Sequence, residues 1–422
     1  MLEANPKPIG LPHVVFLERA AREIDSSPGT FGQAAFLVLR LVDLLTVADE
    51  PGSNDDLFGY QASATGRYCS EQLEPGAAAE YLQELVRNAS YAHRRRAPGL
   101  IAPAMLSLAI HLEDSAHYLE SLDVLGTLER TAGATLASAH AISVALQTAR
   151  VERKLARFDA ADAAYERASG LATVAGDTVS VLQSRLGRAN VFWGRGNLVE
   201  AERWNREVLR DARAAGIRNL EAHAEHGVGI TLGARGQVPD AIPHLLKAYH
   251  LYEAEADSLI ALHELGFALS RLGAVESAER ALNIVVRRGH MGTLVQNAKI
   301  ELMHCASFRR DRVGFERCRA ECVVEVEQMA PNILADYHLK LGIGLARFGR
   351  FDRAVSELQH AHQIARAHGL HELEFRIERI QVGLPDCVTV DVERETGTEQ
   401  PGWAATLANV STALAGLSDL TA

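Results

Sequence analysis

The stretch LARFDAADAAYERA (155–168) returns almost two hundred residues later as FGRFDRAVSELQHA (348–361). Arg, Phe and Asp recur in order. An Ala follows three residues after the Phe, a large apolar residue four further on, and another Ala three after that. With Ala161 and Ala354 as markers, equivalent positions fall at Ser121, Ala201, Ala241 and Ala278, at spacings of 40, 40, 40 and 37 residues from Ser121 onward. The gap of 76 between Ala278 and Ala354 has room for one more copy, which the reading places at Cys318, with Phe315 three before it and Cys322 four after. A period of this length is the signature of a repeat array, in which each unit buries its apolar side only against its neighbours.

Each copy carries the same pattern. Five before the marker stands a small residue: Ala116, Ala156, Gly196, Gly236, Gly273 or Gly349. Three before it stands an apolar one: Tyr118, Phe158, Leu198, Val238, Val275 or Phe351. Twelve before it, small residues such as Gly229, Gly266 and Gly342 sit within a helical apolar pattern. Such a sequence encodes two helices and a tight turn. The glycine ends the first helix in a left-handed conformation. The apolar residue opens the second helix, and the marker stays small because the two backbones approach there. No sustained two-residue alternation argues for strands. The expectation is an all-α chain.

Leu265-Gly266, Gly273, Val275, Ala278 and Leu282, and above all Leu341-Gly342, Leu345, Gly349, Phe351, Ala354, Leu358 and Ala361, resemble the tetratricopeptide repeat (TPR) in its longer form of about forty residues. The resemblance covers roughly residues 100–370. Three departures stand out: the Trp near the start of the first helix is missing, no Pro closes each repeat, and Asn205 takes a large apolar position, with Trp204 beside it to fill the space. The resemblance implies a right-handed α-solenoid of helix hairpins whose first helices line a concave groove. On that analogy the groove is lined by Ile110, Arg150, Arg153, Asn190, Trp193, His223, His226, Ile230, His263, Phe267 and Ile343. Family members that clamp a peptide carboxylate present Lys and Asn there, and only Asn190 fits that pattern here. The mixture of apolar, aromatic, Arg and His side chains suits an apolar helix or an extended peptide. The same residues would also serve simply to pack neighbouring repeats.

Outside the array, residues 1–98 read as an N-terminal helical region of degenerate repeats or a cap, with helices expected near 12–24, 31–48, 55–72 and 77–92. The array spans 99–383. Residues 384–402 read as a polar linker with a short strand at Val388, Val390 and Val392. In 403–422, Trp403, Leu407, Val410, Leu414 and Leu417 form one helical stripe. That helix needs a surface to lie on: it either caps the array, occludes the groove or docks on a partner.

The chemistry of catalysis is missing from the pattern. There is no GxxxxGK[ST], no GxGxxG after a strand, no GxSxG and no HExxH. Cys318 and Cys322, one helical turn apart, with His304 and Cys305 on the preceding helix, have the residue types of a zinc site. The reading favoured over zinc is that the cysteines fill small buried positions. Close histidine pairs, His223/His226, His360/His362 and His368/His371, are read first as solvent-facing. No cofactor is expected.

The net charge of −11 argues against general nucleic-acid binding. The Arg-rich run 150–218 is interleaved with acids that suit intrahelical pairs. The apolar stretch 34–48 is broken by Arg40 and Asp43, and 99–112 is too short to span a bilayer. Five scattered Cys and a start without a basic, then apolar, leader place the chain in the cytoplasm. Its 38 Arg against five Lys suggest a bacterial coding bias. The expected role is a non-catalytic adaptor that binds a peptide or helix of a protein partner. The alternative is a peptide- or ligand-sensing regulator acting with a separate effector chain, since residues 1–60 hold no helix-turn-helix with a basic recognition helix.

Overall fold

The structure, a computed structural model, describes residues 11–23, 30–46, 55–389 and 404–419. Twenty α-helices and four short 3-10 turns make up their regular structure, with no strand among the described residues. The chain divides into two compact units between Asn197 and Leu198.

In the first unit, α1 (Val14–Glu23), α2 (Phe31–Asp43), α3 (Asp55–Glu71) and α4 (Ala77–Arg95) precede the hairpins. The sequence expectations 12–24 and 31–48 overlap α1 and α2, and their ends at 24 and 47–48 lie outside the described residues. Thr30 caps α2 by accepting a hydrogen bond from the Gln33 amide, a partner its first turn would otherwise lack. Next come α5 (Ala102–Asp114), α6 (Tyr118–Ala132), α7 (Ser138–Lys154), α8 (Phe158–Ala175) and α9 (Thr178–Gly194). One apolar core runs from Phe16 to Val144, across the 98/99 boundary drawn from sequence. Besides packing on each other, α1 and α2 both pack on α6. His13 fastens this arrangement. Its buried ring reaches Asp123 at 2.6 Å through Nδ1 and Asp43 at 3.0 Å through Nε2. Burial alone would lower the imidazole pKa, but hydrogen bonds and charge from the two carboxylates outweigh it and raise the value to about 8.

The second unit starts with α10 (Leu198–Ala215) and continues with α11 (Arg218–Ala234), α12 (Val238–Leu251), α13 (Glu255–Arg271), α14 (Val275–Arg288), α15 (Gly292–Phe308), α16 (Arg312–Val323), α17 (Pro331–Arg347), α18 (Phe351–Ala367), α19 (His371–Thr389) and α20 (Ala404–Asp419). Helix α19 extends through Thr389, so Val388 is helical and not part of a strand; Val390 and Val392 lie outside the described residues.

The hairpin rule is visible in the backbone. Ala116, Ala156, Gly196, Gly236, Gly273 and Gly349 all have positive φ, and the second helix begins two residues after each. The turn hydrogen bonds follow suit: the Gly236 amide donates to Gly233 and the Gln237 amide to Leu232. The markers Ser121, Ala161, Ala201, Ala241, Ala278 and Ala354 are fully buried. The glycine twelve residues earlier opens the space for the second helix. A Cβ on Gly342 would stand 2.8 Å from Leu358 and 3.2 Å from the Ala354 carbonyl oxygen, and one on Gly229 would stand 2.7 Å from Leu245.

Two sequence readings need correction. Asn205 itself is buried, donating to the Ala201 carbonyl at 2.9 Å, while Trp204 is only partly covered. Gly227 makes this fit, since a Cβ there would stand 2.3 Å from the Asn205 Oδ1. The second correction concerns register. In the weak copy the left-handed residue is Arg310, and α16 starts at Arg312, so the marker position is Phe315 and not Cys318. The period then runs on from Ala278 in steps of 37 and 39 residues to Ala354. A large ring at the marker is accommodated by the next hairpin: a Cβ on Gly344 would stand 2.3 Å from the Phe315 ring.

Helix α20 lies against α12 and α14, burying Val410 and Leu414. Arg280 reaches Ser411 at 3.5 Å. Both supporting helices are second helices of their hairpins. Trp403 lies outside the described residues, and nothing is described of the Leu417 side chain.

Candidate partner-binding face

Within each unit the first helices of successive hairpins lie side by side: α5 with α7 and α7 with α9 in the first, α11 with α13, α13 with α15, α15 with α17 and α17 with α19 in the second. Side chains at matching register positions therefore collect on one face. In the first unit this face holds Arg150 and Arg153 from α7, and Asn190 and Trp193 from α9. Asn190 is exposed and Trp193 is 47% exposed, so both are open to solvent. Arg150 is exposed but tied down by a buried carboxylate. Its Nε lies 2.8 and 2.9 Å from the two carboxylate oxygens of the buried Glu113 on α5, and its Nη2 lies 2.6 Å away. Burial would raise the Glu113 carboxyl pKa, but hydrogen bonds from Arg150 and Lys154 bring it below the usual value. Arg153 meets the Tyr165 hydroxyl, whose pKa burial raises, while its Nε is buried without a hydrogen-bond partner.

In the second unit, α11 supplies His223, His226 and Ile230, and α13 supplies His263 and Phe267. Tyr252, just past α12, ties the histidines together. Its ring meets those of His223 and His226 edge-on at 5.0 and 6.0 Å, and its hydroxyl is 3.1 Å from His226 Nδ1. Burial lowers the His226 pKa, against the pull of Glu264, so the ring is neutral near pH 7. His263 Nδ1 is 3.7 Å from Glu264, and its Nε2 is buried with no hydrogen-bond partner.

Phe267 continues the face toward α17. Lys340 stands 5.7 Å and Arg271 5.8 Å from its ring centre. Lys340 is itself buried and salt-bridged to Glu301 on α15 and to Asp336 at 2.5 Å. Burial disfavours its charge, but these two carboxylates hold its pKa above the ordinary value. Beside it, His304 has a buried Nδ1 without a partner, and its pKa is pushed well down by burial and by the Arg347 and Lys340 charges. Arg347 lies 4.5 Å above the ring of Phe308, which is 49% exposed. Burial lowers the Arg347 pKa to about 10, so it remains a cation at neutral pH.

Sequence reasoning missed Tyr252, Glu264, His304, Phe308, Lys340 and Arg347. The signal for two of them lay in the register. Ile230, Phe267 and Ile343 each stand eleven before their markers, and with Phe315 as marker the same position is His304. Seven before, the same step joins Phe308 to Arg271 and Arg347. The displaced marker at Cys318 concealed both. The cysteines considered for zinc, Cys318 and Cys322, lie in an apolar cluster instead. Burial pushes the Cys322 thiol up to about 12, and no triad of metal-donor atoms within 4.8 Å includes either cysteine among the described residues.

The second-unit face offers imidazoles, aromatic edges and fixed cations, with buried polar atoms left over. No nucleophile, base and orienting group are gathered on it. No helix among the described residues is long and apolar enough to cross a membrane.

No family model matches this sequence, and no curated protein matches it either. Solved structures do. The apo form of the quorum sensor NprR from B. thuringiensis shares 13% identity at a TM-score of 0.52, over 82% of this chain and 92% of its own. The apo form of RapI shares 10% identity at 0.50, over 82% and 98%. A signal transduction ATPase from Pyrococcus horikoshii with a tetratricopeptide repeat sensor shares 14% at 0.49, over 82% and 55%. At such identities the likeness is one of fold: the chain is an all-α solenoid of tetratricopeptide-type hairpins.

Proposed function

We propose that this tetratricopeptide-type array is a non-catalytic adaptor that binds a peptide or helix of a partner protein along its first-helix faces. The observation that carries the reading is the row on the second unit. There His263 Nε2 and His304 Nδ1 are buried yet unbonded, beside the half-exposed Phe308 and the cations Lys340 and Arg347. Buried polar atoms without partners are costly, about 1–3 kcal/mol each, and rotation of these two imidazoles on binding would turn them toward a bound chain's amides and carbonyls. On the second unit Phe267 would supply an apolar anchor, with His223, His226 and Ile230 extending that surface, and on the first unit Trp193 would supply its own. Arg150, held by Glu113, would act as part of the wall and not as a mobile clamp.

The test is affinity capture of partners from the native lysate with the wild-type chain and with Trp193→Ala/Phe267→Ala. Partners lost by the double variant while its circular dichroism is unchanged support the reading; identical capture by both proteins sinks it. The second reading is a peptide- or ligand-sensing regulator with a separate effector chain. Its support is that a protein of like fold, NprR, is a quorum sensor. A bound peptide that changes small-angle scattering of the chain would favour this version over a passive adaptor.

Helix α20, on this reading, is a strap on the second helices and leaves the binding face open. Removing 400–422 should then lower thermal stability without changing partner affinity. Increased affinity would assign it the occluding role instead.

A further inference from the structure

The hairpins α11–α12 and α17–α18 carry polar groups at the same three register positions, sixteen before the marker and three and six after it. In α11–α12 these are Glu225, His244 and Lys247. The carboxylate there is ringed by nitrogen groups: His244 Nδ1 is 2.5 Å away, Lys247 Nζ 3.0 Å, and Arg213 joins from α10. In α17–α18 the same positions hold His338, Glu357 and His360. His338 Nδ1 is 2.7 Å from Glu357 Oε2, and the His338 and His360 rings are 5.6 Å apart. One donor atom from each of the three lies within 4.8 Å of the others. Among the described residues, neither Lys nor Arg pairs with Glu357. The salt-bridge position of one hairpin has become two imidazoles and a carboxylate in another.

We propose that His338, Glu357 and His360 form a binding site for a divalent transition-metal ion of the zinc class, with water completing its coordination. Two neutral imidazoles and a carboxylate are a donor set such ions favour over magnesium or calcium. Glu357 and His360 are three apart on α18, so both project from one face toward α17. Ligand atoms bound at about 2.0–2.1 Å in a tetrahedron are about 3.3 Å from one another. The three donor atoms, all within 4.8 Å of one another, would close to that spacing by side-chain rotation on binding the ion. The exposed His360 is free to swing, and it leaves an entry path from solvent. The ion would replace the proton shared by His338 and Glu357, joining the two helices by coordination in place of a single hydrogen bond. The nearby group His362, Glu374 and Glu378 spans α18 and α19 with one imidazole only, at 3.8 and 3.4 Å from its carboxylates, and is the weaker donor set.

The full-length chain, stripped with a chelator, is titrated with Zn²⁺ in competition with a chromophoric chelator and, separately, with Co²⁺ monitored in the visible. The expected results are one Zn²⁺ per chain, tetrahedral Co²⁺ bands, and a thermal midpoint raised by Zn²⁺ but not by Mg²⁺. His360→Ala, an exposed change that leaves the core intact, should weaken Zn²⁺ binding about tenfold or more, as should Glu357→Gln, while His362→Ala should leave it unchanged. The absence of one-to-one binding, or binding that survives His360→Ala but is lost in His362→Ala, would overturn the assignment.

Discussion

The hairpins α15–α16 and α17–α18 are neighbours built to one plan, yet they solve the problem of close helix contact in opposite ways. In α17–α18 the marker is Ala354, fully buried, and Gly342 across from it lets the Leu358 side chain in. The turn before it uses Gly349 at φ +72. In α15–α16 the marker is Phe315, also fully buried, and the turn uses Arg310 at φ +56. The ring displaced from its own hairpin is received by Gly344 on α17. A repeat thus does not require a small residue at one fixed place. It requires that the summed volume at the contact be conserved, and a neighbour can supply the missing space.

The largest way to break this comparison is Phe315→Ala. A buried ring lost from a packed site should cost about 3–5 kcal/mol, read as a fall in the denaturant midpoint. Should Phe315→Ala prove neutral while Cys318→Leu is severe, the marker returns to Cys318 and the register correction fails. Next, Ala354→Leu should destabilise by about 1–3 kcal/mol, because Ala354 is fully buried where α17 and α18 approach most closely. Gly344→Ala should cost about 2 kcal/mol, since the added methyl meets the Phe315 ring. The sharper form is a double-mutant cycle, in which Phe315→Leu should recover much of that loss; strict additivity would show that the two residues do not share a space. The smallest effects concern the turns and should have opposite signs. Gly349→Ala should lower stability by about 1 kcal/mol, and Arg310→Gly should raise it by up to about 1 kcal/mol, as left-handed strain is imposed in one and relieved in the other. Hydrogen exchange of the amides in α15–α18 would resolve both changes locally.

Legibility followed the same division. Gly236, Gly273 and Gly349 marked the turns because a left-handed backbone selects glycine, and the second helix starts two residues later in each case. Where Ala116, Ala156 and Arg310 take that conformation, the signal weakens with side-chain size; Arg310 supplied none, and the register slipped by three residues. The same slip removed His304 and Phe308 from the candidate face. Tyr252 could not be found from period at all, since it lies beyond the end of α12 and reaches back to His223 and His226. Asn205 looked like a defect until Gly227 was seen beside it. The N-terminal helices were recognisable from their apolar spacing and their breakers, but not their return onto α6, which depends on His13 meeting Asp123 across 110 residues.

The sequence by itself determined that this chain is a series of helix pairs, because each pair's closest approach restricts residue size at positions that repeat along the chain. Only the tertiary structure decided which charges are tied to a buried partner, as Arg150 is to Glu113, and which buried polar atoms are left without one, as on His263 and His304. It also decided that α20 rests on α12 and α14. The physical reason is range. Turn conformation and hairpin packing are local and leave a period in the residues, whereas ion pairs and docked helices join segments whose separation follows no rule the chain repeats.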